Sequence, residues 1–257
     1  MKTKNILHFL NRTLFKTAIL LLLLPACELS DKAGKTSDDP YNGIRKGYRK
    51  DGTLLSAVSY KDSVRHGVAK NYYRDGTLKI KMTYDKGIKH GDAITYYEDG
   101  DVYQVTPFVN GKREGIQKRY YPGNKLMAEI PFKDNEQVPG LKEYNKDGRL
   151  ITKEERIVFR LVDKTAFENR FELHMQLSDK ARNAQFTREV IKENGEPDFT
   201  VGLISEGGTA MLEYYVRPGQ SLMQKVHIIA KRKTRLGNTE VFRGQYNLAV
   251  ENTKRFY

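Results

Sequence analysis

At 257 residues the chain can hold one large or two small domains, and Lys and Arg outnumber Asp and Glu by 45 to 32. A single cysteine excludes a disulfide framework and a cysteine-ligated metal site. With no tryptophan, the aromatic core must come from 16 tyrosines and 11 phenylalanines, which suit strands.

Residues 1–26 open with Lys2, Lys4, Arg12 and Lys16 and continue into an apolar run at 18–24. That run falls short of the roughly 17–25 residues a membrane-spanning helix needs, and it fits the core of a signal peptide. It ends in Leu24-Pro25-Ala26-Cys27, which resembles the lipobox of bacterial lipoproteins, with Pro25 departing from the usual small residue. The resemblance implies cleavage before Cys27 and lipid on that cysteine. Two or three acyl chains, at about 0.8 kcal/mol per buried methylene, give stable anchoring. Residues 27–40 are polar and read as a flexible tether. The expected location is the cell envelope, with Glu28 after the cysteine favouring the outer membrane. Nucleic acid is not an expected partner there. The positive charge is spread along the chain and suits anionic lipid, polysaccharide or an acidic protein, or simply a solvated surface.

Residues 41–150 repeat. Turn pairs stand at Asp51-Gly52, Asp75-Gly76 and Asp99-Gly100, then Gly123-Asn124 and Asp147-Gly148, one every 24 residues. Tyr48, Tyr72, Tyr96, Tyr120 and Tyr144 precede the turns, and Tyr60, Tyr84, Phe108 and Phe132 follow them. A second glycine recurs at Gly43, Gly67, Gly91 and Gly115, with Pro139 in the fifth register. Asp-Gly between alternating segments signals a hairpin, and Leu78, Ile80, Met82 and Tyr84 alternate with polar residues as a half-buried strand does. Pro107 makes the third unit the irregular one. One repeat is therefore one antiparallel hairpin. Nine or so strands at about 4.8 Å would extend roughly 40 Å.

The stretch GVAKNYYRDGTLKIKMTYDKGIKHG resembles the MORN variant repeat of YwqK-type bacterial proteins, a family that carries an antitoxin label. The resemblance covers 41–150. It implies a scaffold or binding surface, and the label alone implies an antitoxin or immunity role.

Past residue 150 the columns stop. Strand candidates lie at 157–161, 171–177, 199–204, 211–216, 223–231 and 239–251, separated by Asn194-Gly195, Gly207-Gly208, Pro218-Gly219 and Gly237-Asn238. The segment 179–192 reads either as a helix capped by Asp179 or as a strand from Phe186. The expected class is all-β, a single-sheet array of MORN-like hairpins followed by a small β-sandwich-like domain at 151–257.

Few residues carry recognisable chemistry. His66 and His90 share a repeat column, but adjacent hairpins hold them roughly 10 Å apart, too far for a shared zinc. The Asp-Gly pairs are turns rather than a carboxylate ladder. No nucleophile elbow, phosphate loop or metalloprotease motif appears, so no catalytic residue, metal or cofactor is expected. The binding candidates are Tyr73, Tyr97 and Tyr121, each following a first-column tyrosine, with Lys79 and Lys81 beside them. The first column never changes and is expected to be buried; the second reads Arg49, Tyr73, Tyr97, Tyr121, Asn145 and is expected to be exposed. Exposed tyrosines could grip a peptide, sugar rings or an anionic polymer, or could be covered by the C-terminal domain. The expected partners are the membrane through Cys27, an envelope or secreted protein, and alternatively an envelope polysaccharide or anionic glycolipid.

Overall fold

The computed structural model describes residues 41–254; the signal sequence, Cys27 and the tether at 27–40 lie outside the described residues. Two kinds of turn alternate along the repeat. At each Asp-Gly end a three-residue loop closes, as where Tyr73 N–H donates to Thr77 O (2.8 Å) and Gly76 N–H to Tyr73 O (3.2 Å). Gly76 has φ +94° there, a left-handed conformation that glycine adopts without strain. Asp75 braces the loop by accepting the Thr77 N–H (2.8 Å) and hydroxyl (2.9 Å). At the other end, Asp62-Ser63, Lys86-Gly87, Asn110-Gly111 and Asp134-Asn135 each have both residues at positive φ, the geometry of a type I′ hairpin turn. The second residue of all four turns also reaches back: Ser63 N–H donates to Tyr41 O, Gly87 N–H to Arg65 O, Gly111 N–H to Lys89 O and Asn135 N–H to Arg113 O.

These turns lay down one antiparallel sheet in chain order. It runs through Gly43–Tyr48, Leu54–Lys61, Val64–Tyr72, Leu78–Asp85, Gly91–Tyr96, Val102–Val109, Gly115–Tyr121 and Lys125–Lys133, and ends at the short Lys142–Glu143. A β-bulge recurs in each hairpin. Asn71 faces Ile80 but Tyr72 faces Leu78, so Lys79 is the extra residue; Leu55, Tyr103 and Met127 occupy the same place in the other units. The bulge turns Leu78 onto the face of Tyr72, away from Ile80, Met82 and Tyr84. Plain alternation had put those four together.

The glycine column has a backbone cause. Gly43, Gly67, Gly91 and Gly115 stand directly opposite Tyr60, Tyr84, Phe108 and Phe132, and all four lie at positive φ (102°, 86°, 71° and 100°), which glycine adopts without strain. Over those rings lie Arg45 (4.5 Å), Arg65 (5.5 Å), Lys89 (5.0 Å) and Arg113 (4.2 Å), a cation on every aromatic.

After the repeat come two four-stranded antiparallel sheets. One orders Ile157–Asp163, Arg170–Leu177, Thr209–Tyr215 and Ser205–Glu206; the other orders Pro197–Leu203, Gln185–Ile191, Ser221–Lys233 and Thr239–Glu251. Leu173, Met175 and Leu177 meet Phe186, Val226, Ile228 and Leu248 in the core between them. Burying a side chain of this size contributes roughly 1.5–3 kcal/mol, so this core holds the sandwich together. The ambiguous segment 179–192 forms the strand Gln185–Ile191, and one short helix, Thr165–Glu168, comes in addition to the strands expected. No described helix is long and apolar enough to cross a membrane.

Candidate binding surface of the repeat sheet

Residues directly opposite one another in a sheet share a face, so the register assigns every side chain to a side. On one side runs the row Ser56, Asn71, Ile80, Thr95, Gln104, Arg119, Ala128, Glu143. Its far end is covered: Ala128 and Ile130 are 0% and 4% exposed, and Glu143 is buried. The tip of the hairpin between Ser221–Lys233 and Thr239–Glu251 covers it. Asn238 accepts from Arg119 (2.6 Å) and donates to Glu143 (2.6 Å), which also accepts from the Thr234 hydroxyl (2.6 Å). Gln137 donates to Thr239 O beside them. This polar knot ties the repeat to the sandwich. A cleft of about 900 Å³ lies next to it, lined from 139–142, 152–156 and 240–243 by charges of both signs.

The second-column tyrosines belong to this covered side. Tyr97 meets Tyr103 edge to face (5.1 Å), and the Tyr103 hydroxyl accepts from Arg119 (2.5 Å). They are half-buried rather than exposed, and their hydroxyls are engaged. Tyr73 donates to Tyr96 O (2.7 Å), Tyr97 to Tyr120 O (2.7 Å) and Tyr121 to Tyr144 O (3.0 Å). Arg49 serves in the same way, with a 2.5 Å bond to Tyr72 O. The column expected to face outward latches each repeat to the next. Partial burial raises the Tyr73 phenol above its ordinary value, and Glu98 and Asp75 add to that. Lys79 lies over the Tyr73 ring (5.1 Å), whereas Lys81 sits on the opposite face.

The first column, expected to be buried, lines the other side and is half-buried like the second, except for Tyr48 at 41% exposed. There the register draws a second row: Lys46, Ala57, Lys70, Lys81, Ile94, Val105, Lys118, Glu129, Lys142. None of these nine is buried. Lys70 and Lys81 stand directly opposite, an arrangement that destabilises a sheet. The row's one carboxylate, Glu129, is already engaged by the Tyr144 hydroxyl (2.9 Å) and by Lys142 (3.9 Å). Exposed Val64, Ile88, Val109 and Ile116 flank the row on the same side. This open face is basic with apolar margins, and the sequence reading missed it. The signal was present in the lysines themselves, but only the bulged register shows which of them line up.

His66 Nδ1 lies 3.3 Å from Asp85, and among the described residues no group of three His, Cys, Asp or Glu could hold a metal ion. Residues 65–86, 89–110 and 113–134 match the MORN repeat variant, so the chain carries three such repeats inside the longer sheet. No curated protein matches the chain.

Proposed function

We propose that the chain is a non-enzymatic lipoprotein of the bacterial cell envelope, held by lipid on Cys27, whose repeat sheet scaffolds an acidic partner protein on its open face. The observation that carries this is the uncovered lysine row, in which two lysines oppose each other and the one carboxylate is already engaged. MORN repeats are in general protein- or lipid-binding scaffold modules, which agrees with a binding role. Crosslinking in intact cells followed by pull-down tests it. The parent chain should capture a protein, and Lys70→Glu with Lys118→Glu should lose it. A captured glycan in place of a protein would move the reading to an envelope polysaccharide or anionic glycolipid, and equal capture by the variant would refute the lysine row.

A further inference from the structure

Between the two sheets of the sandwich, polar side chains stand among apolar ones. Phe186, Arg188 and Val190 alternate onto the inner face of Gln185–Ile191, where Arg188 lies directly opposite Val201 on one side and the buried Ile228 on the other. Arg188 is half-buried and forms no ion pair among the described residues; its one side-chain bond, to Gln224 Oε1, is long at 3.4 Å. The neighbouring Glu189 turns to the outer face, where Arg243 holds it (2.8 and 3.0 Å). From the facing sheet comes Tyr214, 7% exposed, whose hydroxyl is buried and has no hydrogen-bond partner. Burial raises that phenol above its ordinary value and the charge of Arg188 draws it back, so the two groups lie within electrostatic reach of each other. A guanidinium without a carboxylate and a hydroxyl without a partner are each costly inside a protein.

The sandwich is open on the side where these groups lie. Pro197–Leu203 runs on through Ile204 into Ser205–Glu206, which pairs with Thr209–Tyr215 in the other sheet. The chain thus changes sheets at Ile204, and away from that point the facing strands part. Phe199 and Val201 point inward with Leu203, which packs on the core, yet they are 55% and 44% exposed. They form an apolar lip beside Arg188.

We propose that this mouth binds a small apolar carboxylic acid, whose carboxylate accepts hydrogen bonds from the Arg188 guanidinium and the Tyr214 hydroxyl while its apolar body lies on Phe199 and Val201. Each part of the ligand answers one part of the site. A guanidinium offers a carboxylate two parallel N–H donors, and the phenol supplies a third. A neutral apolar molecule would leave both groups unsatisfied, and an inorganic anion would leave the lip in water. The site is separate from the lysine row of the repeat sheet.

The full-length chain in lipid nanodiscs provides the test, with phenylpropionate labelled at its carboxyl carbon as the probe. The parent should shift the carboxyl resonance saturably and melt at a higher temperature with the acid present, and the neutral phenylpropanamide should do neither. Arg188→Met, close in length and uncharged, should bind the acid at least tenfold more weakly. Tyr214→Phe removes a hydroxyl that the fold does not use, so without ligand it should melt with the parent while its affinity for the acid falls severalfold. Equal binding of acid and amide, undiminished binding by Arg188→Met, or a lowered melting temperature for ligand-free Tyr214→Phe would each overturn the proposal. Tighter binding of a short peptide ending in a free phenylalanine carboxylate would also overturn it, because the occupant would then be a chain terminus.

Discussion

The hydroxyl of Tyr97 donates a 2.7 Å hydrogen bond to the backbone carbonyl of Tyr120, 23 residues further on, and so joins two hairpins that the turns alone do not lock together. The same bond recurs one unit earlier and one unit later, through Tyr73 and Tyr121. Removing only the hydroxyl isolates the latch. Tyr97→Phe should cost about 0.5–1.5 kcal/mol, the net contribution of one hydrogen bond, and Tyr73→Phe about the same. Urea unfolding of each variant measures this. Variants as stable as the parent would mean that packing of the ring, without its hydroxyl, holds successive repeats.

The glycine and turn columns were legible because each has one geometric task along the repeat: glycine at positive φ opposite an aromatic, and a turn pair in a loop, whereas the cation above each aromatic went unread. The bulge was not legible, since one extra residue at Lys79 leaves the alternation of Leu78, Ile80, Met82 and Tyr84 apparently intact. That single residue decides which lysines share a face, so the open face was hidden with it. The latch column misled because Arg, Tyr and Asn look like an unconstrained surface set. Arg49 and the tyrosines share a long side chain ending in a donor, and the shorter Asn145 stands in the last unit, where no further repeat offers a carbonyl. Shared donor chemistry, rather than shared residue type, was the signal. The sandwich was readable from its strict alternation, whereas its polar tie to the repeat joins residues more than 90 positions apart and leaves no local trace.

Turn chemistry puts on a par two positions that the sequence pattern would rank differently. Gly76→Val forces a branched side chain to φ +94° and should cost on the order of 1–3 kcal/mol. Read as the least regular turn, Asn124 would be the more forgiving site. In the structure it lies at φ +56°, its side-chain oxygen accepts from Val102 N–H (2.8 Å), and its amide donates to Asp101 (2.9 Å). Asn124→Val should therefore cost about as much as Gly76→Val, roughly 1–3 kcal/mol from strain together with lost hydrogen bonds. Parallel thermal melts compare them.

Asn238 is 3% exposed and bridges Arg119 and Glu143. Asn238→Ala leaves a buried carboxylate short of one donor and an arginine short of one acceptor, a loss of about 1.5–3 kcal/mol per charged hydrogen bond. The repeat and the sandwich should then separate more readily, with new protease cleavage between Glu143 and Ile157. Asn238→Asp should be no milder, because it sets a second carboxylate beside Glu143. Limited proteolysis that finds the linker equally protected in all three chains would show that the remaining ties, Gln137 to Thr239 O and Thr234 to Glu143, suffice.

The Asp75 carboxyl is held below its ordinary 3.8, first by the Thr77 backbone N–H and then by the Thr77 hydroxyl. Asp51 is lowered by Thr53, first by its hydroxyl and then by its backbone N–H. A depressed folded-state value adds stability that is fully present above the unfolded value and disappears as pH falls through the folded one. The repeat should thus hold its stability down to about pH 4 and weaken below it. Thr77→Val removes the hydroxyl, so the Asp75 titration followed by NMR should move up toward its ordinary value. An unmoved titration would mean that the backbone N–H alone sets it.

Lys81 separates a binding row from a merely solvated one. It stands directly opposite Lys70 on one side and Ile94 on the other, and like charges so placed cost a sheet roughly 0.2–1 kcal/mol. Lys81→Glu turns that repulsion into an attractive cross-strand pair, so the variant should melt at or above the parent's temperature. If the open face serves an acidic partner, the better-folded variant should nevertheless capture less of it, and the parent's own capture should weaken with added salt as screening shortens the reach of exposed charges. Lower stability would refute the register that puts Lys70 and Lys81 together. Raised stability with undiminished capture would leave the register standing and remove the lysine row from the binding surface.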